Sequence, residues 1–570
     1  MSHVDEQQTT YPLHTFQYNP EDRIFYLSTY NESEYGYSDG RRVEEYIHSS
    51  IRNTHDVSDG SPELISKIKD WPTYYHFSIE RANIFRCLDI NPNSKVIEFG
   101  AGCGAITRYL GENFTSVDSI EGSKNRARIV RDRCRDLDNV RVFCSNIEDI
   151  QLNPEYDIAT LIGVLEYAPV YFSDNHNPNL ACLNLLKIAR SAIKENGTLI
   201  LAIENKIGLK YWSGCPEDHT GTLYEGLHNY PNQVEPVTFS KKEIIALLEA
   251  AGFNNCTVLS CFPDYKFAST IINNIDGGNN YYLHNWVEIP FTAYNIARKY
   301  SFHEGLALRT LSEAGLLGEC ANSFLILASS GNSASVGEID WAAKKISAKR
   351  RKELRCQTTL KLTPQPFVEK KRLYGEEKNI TFANTRFKLC HRVSNATWIA
   401  GNTLLNEMYT AGCKKDSYEI IEQLLARYYG ETLKRYATGT SDEQGYPLLK
   451  GTSLDFIPRN IIKFNDILES IDEEWIIDGD IPADYLLYRF LTNDFFGSQK
   501  PWIKKKFRNK NYATIKLVQT IFPQYGVRRH MKNIENERLF QDLVTGGIKY
   551  GMPRQNLYSY IRDFAALFSN

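Results

Sequence analysis

From Ser94 onward, short apolar runs alternate with segments whose apolar positions recur every three or four residues. KVIEF is followed by a helical pattern from about Ala105, VDSIE by the charged helical run SKNRARIVRDRCRDL, and VRVFC by an acidic loop. YDIATLIG, the helical run LACLNLLKIARSAIK, GTLILAIEN, the helical run KKEIIALLEAAGF and CTVLSCF come next. An insertion of roughly fifty residues with two helical patterns then leads to a last apolar run, NSFLILAS. Such alternation predicts an α/β domain of βα units around a mainly parallel, seven-stranded sheet. Upstream, DWPTYYHFSIERANIFRCL reads as an aromatic helix packed on the front edge of that sheet, while residues 1–60 are polar, Tyr-rich and carry no assignable period.

The pattern breaks at SSGNSASVG, and the basic run AAKKISAKRRKELR after it reads as a solvated helix face. The chain therefore divides into an N-terminal segment with a cap helix (1–93), an α/β domain (94–330), a linker (331–350) and a second domain (351–570). A length of 570 residues at 42% hydrophobic agrees with more than one core. Lys and Arg number 66 against 69 Asp and Glu, a net charge of -3 that lacks the basic surface a nucleic-acid partner requires. Twelve cysteines without C-x-x-C spacing predict a reducing, cytoplasmic setting and argue against structural zinc. No run reaches the roughly 18 apolar residues of a spanning helix, and the N-terminus has no signal pattern. Any membrane contact is expected to be peripheral.

Candidate chemistry begins at VIEFGAGCGAI. Gly100, Gly102 and Ala105 fit the dinucleotide fingerprint, while Glu98, Gly100, Gly102 and Gly104 fit the E/D-x-G-x-G-x-G loop of S-adenosylmethionine enzymes. Glu121 follows at the tip of the second strand, placed to hold vicinal ribose hydroxyls, as both cofactors need. The later strand ends separate the two readings: Ser145-Asn146-Ile147-Glu148-Asp149 after the third, Tyr156 to Gly163 running into VLEYAP, and the turn Lys194 to Thr198 before the fifth. This ordered series resembles the class I S-adenosylmethionine-dependent methyltransferases, over about residues 94–330.

The resemblance implies a Rossmann-like domain in which the three glycines lie against the methionine portion of S-adenosylmethionine and Glu121 holds the ribose. It places Asn146, Ile147 and Glu148 against the adenine, where the family commonly has Asp in place of Asn146, so Asn146 or Glu148 would accept the amino hydrogen bond. Ile162, Gly163 and Val164 would line the pocket, and Glu166 would cap the next helix or face substrate. Tyr75 and Arg81 are candidates to close over the cofactor's carboxylate.

After the fifth strand, AIENKIGLKYWSGCPEDHTGTLYEGL carries Glu204, Asn205, Lys206, Glu217, Asp218 and His219 at the carboxyl edge of the sheet, where open α/β sheets bind ligands. Methyl transfer is an in-line displacement that needs a base only when the acceptor is a neutral hydroxyl. His219, beside Asp218 and Glu217, is the best base candidate. The loop resembles methyltransferases of bacterial surface-polysaccharide gene clusters. That implies a glycan or lipid-linked glycan acceptor, methylated on a sugar hydroxyl or terminal phosphate, at the cytosolic face of the inner membrane among other polysaccharide biosynthesis enzymes.

In the second domain, GTSLDFIPRNIIKFNDILESIDEEW places Asp455, Asn460 and Asp472 at the catalytic-loop spacing of protein-kinase-like phosphotransferases. The likeness is to small-molecule kinases of the aminoglycoside phosphotransferase type, an α+β fold. It implies that Asp455 orients an acceptor hydroxyl, that Asn460 and Asp472 hold magnesium, and that Lys370 or Lys371 of PFVEKKRL binds ATP phosphates. Ser453 and Leu454 stand where a His normally precedes the Asp, and no glycine-rich nucleotide loop lies upstream. The whole architecture resembles the bifunctional methyltransferase-kinases that terminate O-antigen chains. The competing reading is a scaffold of a glycan biosynthesis complex whose two domains are degenerate.

Overall fold

A computed structural model describes residues 10–28, 40–172, 177–232, 236–273, 281–293, 298, 300–331, 335–414, 416–464, 467–499 and 510–550. Five apolar runs form parallel strands: β1 (Lys95–Phe99), β2 (Ser116–Glu121), β3 (Val140–Cys144), β4 (Tyr156–Ile162) and β5 (Ile193–Glu204). They are followed by β6 (Asn255–Phe262), β7 (Thr270–Asn273) and β8 (Ser323–Ser329). The order is β3-β2-β1-β4-β5-β8-β6, with β8 antiparallel to both neighbours. The seven strands read from the sequence are all present in this sheet. Its middle strands are buried on both faces, which is why their apolar residues run on without alternation.

Helices cover both faces where the sequence marks their starts. After α1 (Arg41–Arg52) and α2 (Trp71–Phe77) come α3 (Ala105–Asn113), α4 (Lys124–Arg133), α5 (Pro178–Ala192) and α6 (Lys241–Ala250). Ser123 caps α4, Asn177 caps α5 with Pro178 in its first turn, and Ser240 with Glu243 closes a capping box on α6. The long aromatic helix expected from Asp70 is instead three pieces: α2, a 3-10 turn Ile79–Ala82, and a single turn Asn83–Arg86. Ser78 is the reason, because its backbone is extended and its hydroxyl accepts from Glu80 N, restarting the chain at a new angle.

The described residues of the expected linker, 335–350, are not one. Trp341–Ser347 forms β9, antiparallel to β7, and the same sheet continues through β10 (Cys356–Lys361) and β11 (Phe367–Arg372). The basic run misled because its lysines are tethered rather than solvated: Lys344 Nζ donates to Cys87 O at 2.8 Å, while Trp341, Ala343 and Ile346 are buried. The insertion before β8 contributes β7, two 3-10 turns (Tyr265–Phe267 and Leu283–Trp286) and one α-helix, α7 (Glu304–Glu313), among the described residues; 274–280, 294–297 and 299 fall outside them. At the far edge, the unassigned N-terminal residues supply a short strand, Ile24–Tyr26, parallel to β3.

Beyond β11 lies an α+β region with its own core. Strands Asn379–Ala383, Lys388–Arg392 and Trp475–Ile477 form one sheet, and Ile461–Phe464 pairs with Ile467–Ser470 as the expected hairpin, whose turn residues 465 and 466 fall outside the described set. Helices α8 (Leu404–Gly412), α9 (Ser417–Tyr436), α10 (Ala483–Phe490), α11 (Lys510–Gln519) and α12 (Val527–Thr545) pack around Leu425, Tyr428, Tyr485 and Phe490. Contacts between the regions are specific: Lys349 Nζ meets Glu80 Oε2 at 2.7 Å, and His284 Nε2 meets Asn402 Oδ1 at 3.0 Å. All twelve cysteines are free. Among the described residues no helix is long and apolar enough to cross a membrane.

Candidate functional site

At the carboxyl edge of β1, β2 and β4 opens a cavity of about 200 Å³. Its floor is the loop between β1 and α3. Gly100 (φ +73°) and Gly102 (φ +57°) hold backbone conformations that side chains resist, and a Cβ on Gly100 would meet Val164 Cγ2 at 2.6 Å. A Cβ on Gly102 would point instead into open space, with His76 Cε1 at 3.9 Å, so at that position the backbone itself faces the cavity.

Two carboxylates frame this loop. Glu121 accepts from Gly102 N at 2.7 Å and Ser123 N at 2.9 Å, so the loop and the β2 tip hold each other. Burial raises its carboxyl above the ordinary value. Glu98 accepts from Thr107 Oγ1 at 2.6 Å and Ser119 Oγ at 2.7 Å, and burial pushes it up to about 7. Gly104 starts α3 in the left-handed conformation. Gly163 also lines the cavity, with Tyr265 against its α-carbon. Tyr75 and Arg81 face the same space: the guanidinium lies 3.9 Å from the Tyr75 ring centre and donates to its hydroxyl at 2.9 Å. Asn146, Ile147 and Glu148 are part-exposed at the end of β3 and do not line the cavity.

Sequence reasoning missed several lining residues. Arg126 of α4 reaches the cavity and is pinned by Glu44 at 2.9 Å, which docks α1 on α4. His76, Trp71, Thr160, Tyr265 and Lys266 complete the walls. No motif marks these residues, since segments far apart in the chain bring them together.

The far end of the cavity is built from the loop after β5. Glu217 accepts from His219 N at 2.8 Å, and its other oxygen lies 2.8 Å from His219 Nδ1. His219 Nε2 faces Glu166 Oε1 at 3.8 Å. Burial alone would pull the imidazole down, but Glu166, Glu204 and Glu217 outweigh it and hold His219 well above its usual value. Asp218 is bonded by Lys210 and by Tyr211 Oη at 2.9 Å, with Lys266 Nζ at 3.5 Å; those lysines overcome burial and keep it ionised. Lys266 also bonds Glu204. Glu166 is fully buried, neither of its carboxylate oxygens has a hydrogen-bond partner, and burial raises its carboxyl. The residues Glu217, Asp218 and His219 are thus assembled at one end of the cavity lined by the glycine loop.

In the C-terminal region, Asn460 Nδ2 donates to Asp455 O at 3.1 Å, and Ile471 N donates to Asn460 O at 2.7 Å. The hairpin therefore sets Asn460 opposite Ile471, the residue before Asp472. Asp472 is bonded by Lys370, which also reaches Glu474 at 2.8 Å. Lys371, one residue on, points to the other face of β11, is 67% exposed and pairs with Glu369. The strand's period of two thus sets Lys370 against Asp472 and turns Lys371, which the sequence reading also offered, away from it. Asp455 is buried, and its carboxylate accepts from the backbone of Glu474 at 2.7 Å and Trp475 at 2.6 Å. Burial, with Glu474 nearby, pushes it up to about 7. Here Asp455 anchors the segment that carries Asp472, rather than presenting a free carboxylate.

A family model described as a methyltransferase domain matches residues 77–258. Ribosomal RNA small subunit methyltransferase A of Streptococcus thermophilus is 39% identical over 92 residues, covering 15% of this chain and 32% of that protein. The same enzyme of Streptococcus pyogenes is 41% identical over 87 residues, covering 14% and 30%. The chain thus spans about a third of the length of the curated relatives it matches. Among solved structures, a Thermotoga maritima SAM-dependent methyltransferase, possible histamine N-methyltransferase, is 18% identical with a TM-score of 0.26, covering 45% of this chain and 91% of that one. Haemonchus contortus phosphoethanolamine N-methyltransferase 1, in complex with phosphoethanolamine and S-adenosylhomocysteine, is 17% identical with a TM-score of 0.21, covering 29% and 31%.

Proposed function

We propose, from the premise that residues 77–258 form a class I S-adenosylmethionine-dependent methyltransferase domain, that this protein transfers a methyl group to a hydroxyl of a glycan or glycan precursor. The observation that carries the transfer is one cavity lined both by the positive-φ glycine loop with Glu121 and by the Glu166, Asp218 and His219 end. The first half suits the cofactor, with Tyr75 and Arg81 as the candidates for its carboxylate, and the second suits an acceptor. An acceptor end rich in carboxylates favours a neutral hydroxyl over a terminal phosphate, and with a net charge of -3 it disfavours ribosomal RNA, the substrate in the names of the partial relatives. The glycan class is supported by the likeness of the post-β5 loop to polysaccharide-cluster enzymes.

Gly102→Val puts a branched side chain where the backbone faces the cavity, and calorimetry is expected to show no S-adenosylmethionine binding by a folded variant. Unchanged affinity would sink the cofactor assignment. Glu121→Ala should weaken binding by about 1.5 to 3 kcal/mol, as loss of a charge-assisted hydrogen bond to ribose.

A second reading adds ATP-dependent phosphotransfer in the C-terminal region. The Lys370–Asp472 pair supports it, whereas the pinned Asp455, and an Asn460 whose amide is spent on the Asp455 carbonyl, support a domain that kept the fold and lost the chemistry. If it is active, Asp472→Asn should abolish magnesium-dependent ATP binding and leave S-adenosylmethionine binding intact. A wild-type protein that binds no ATP at millimolar magnesium would leave methyl transfer as its sole proposed chemistry.

A further inference from the structure

Three carboxylate oxygens at the acceptor end are buried without a hydrogen-bond partner: both of Glu166 and Oε2 of Glu204. Each residue is 0% exposed. Carboxylate oxygens so placed are costly to leave unpaired. Glu166, Glu204 and His219 offer ligand atoms that all lie within 4.8 Å of one another. Three ligands bonded to one ion at about 2.0–2.2 Å lie about 3 to 3.8 Å from one another, so side-chain shifts of up to about an ångström would close the set.

Two surrounding contacts favour a metal over a bare proton relay. His219 Nδ1 is held by Glu217 at 2.8 Å, which turns Nε2 toward the two carboxylates. A carboxylate behind the distal nitrogen is the usual partner of a metal-ligating histidine, fixing its tautomer and orientation. Lys266 bonds Glu204 through Oε1 and so leaves Oε2 to the cluster.

We infer that Glu166, Glu204 and His219 bind one divalent first-row metal ion, and that the acceptor joins it through a hydroxyl oxygen; this rests on the cavity being the cofactor and acceptor site. Two carboxylates and one imidazole suit Mn²⁺, Fe²⁺ or Zn²⁺. Three protein ligands leave further positions open, and a vicinal diol of a sugar fills two of them. Coordination lowers the hydroxyl pKa and its proton leaves to water. The freed oxygen then forms the C–O bond as the S–CH₃ bond breaks, so hydroxyl and sulfonium become methyl ether, neutral thioether and one proton.

The test titrates the chelator-stripped full chain with Mn²⁺ alone and, separately, with S-adenosylmethionine. One Mn²⁺ per chain is expected, with Glu166→Gln, Glu204→Gln and His219→Ala each weakening it at least tenfold. Glu217→Gln, which only reorients the imidazole, should show a smaller loss. Gly102→Val should lose S-adenosylmethionine and keep Mn²⁺, so a failed cofactor reading and a failed metal reading give different results. Absence of Mn²⁺ and Zn²⁺ binding at millimolar concentration in a chain that binds S-adenosylmethionine would overturn the inference, as would Mn²⁺ affinity indifferent to all three ligand substitutions.

Discussion

Glu98 lies 3% exposed under the glycine loop, and its carboxyl is raised from 4.5 to about 7. The folded chain therefore holds that proton more tightly than the unfolded chain, and the associated stability is complete below about pH 4.5 and lost as pH rises through about 7. The shift corresponds to about 3 kcal/mol. Glu98→Gln is neutral throughout, so urea denaturation at pH 5 and pH 8 should show the variant gaining up to about 3 kcal/mol on the wild type across that interval. Parallel pH profiles would refute it. At this scale the sequence was informative wherever local geometry dictates the residue: Gly100, Gly102 and Gly104 are glycines because φ is positive. Between Lys370 and Lys371 the sequence left the choice open, because only the pairing of β11 with β10 fixes which face of the strand each takes. Arg126, Thr160 and Lys266 were not legible, since their roles depend on packing between distant segments.

Among elements, strands with long buried runs and helices with polar caps were readable, and β9 was not. Its sequence WAAKKIS has neither alternation nor β-branched density, and neighbours on both sides supply the strand-forming context. Ending the chain after residue 330 removes β9 and bares β7, whose Ile271 and Ile272 are buried. An unpaired apolar edge of that kind aggregates, so size-exclusion chromatography should find the fragment in the void volume. A monomeric fragment that binds S-adenosylmethionine would show β9 to be dispensable. The broken aromatic helix carries the same lesson in reverse: its period was genuine, but a single serine with its own hydrogen-bonding preference overrode it at Ser78.

Across the whole molecule, composition indicated more than one core but not how they join. The boundary expected near residue 350 falls between β9 and β10 of one continuous sheet, so Lys370 on β11 and the glycine loop after β1 share a single β scaffold. Eight strand-to-strand steps separate β11 from β1, about 38 Å measured along the sheet at the usual spacing. A hydrogen-bonded ladder shears far less readily than a linker bends, so this separation works as a fixed gauge. Were the proposed lysine site and the proposed cofactor loop both to act on one acceptor, a short one would have to let go of one before reaching the other, and only a chain long enough to bridge the gauge could be held at both ends at once.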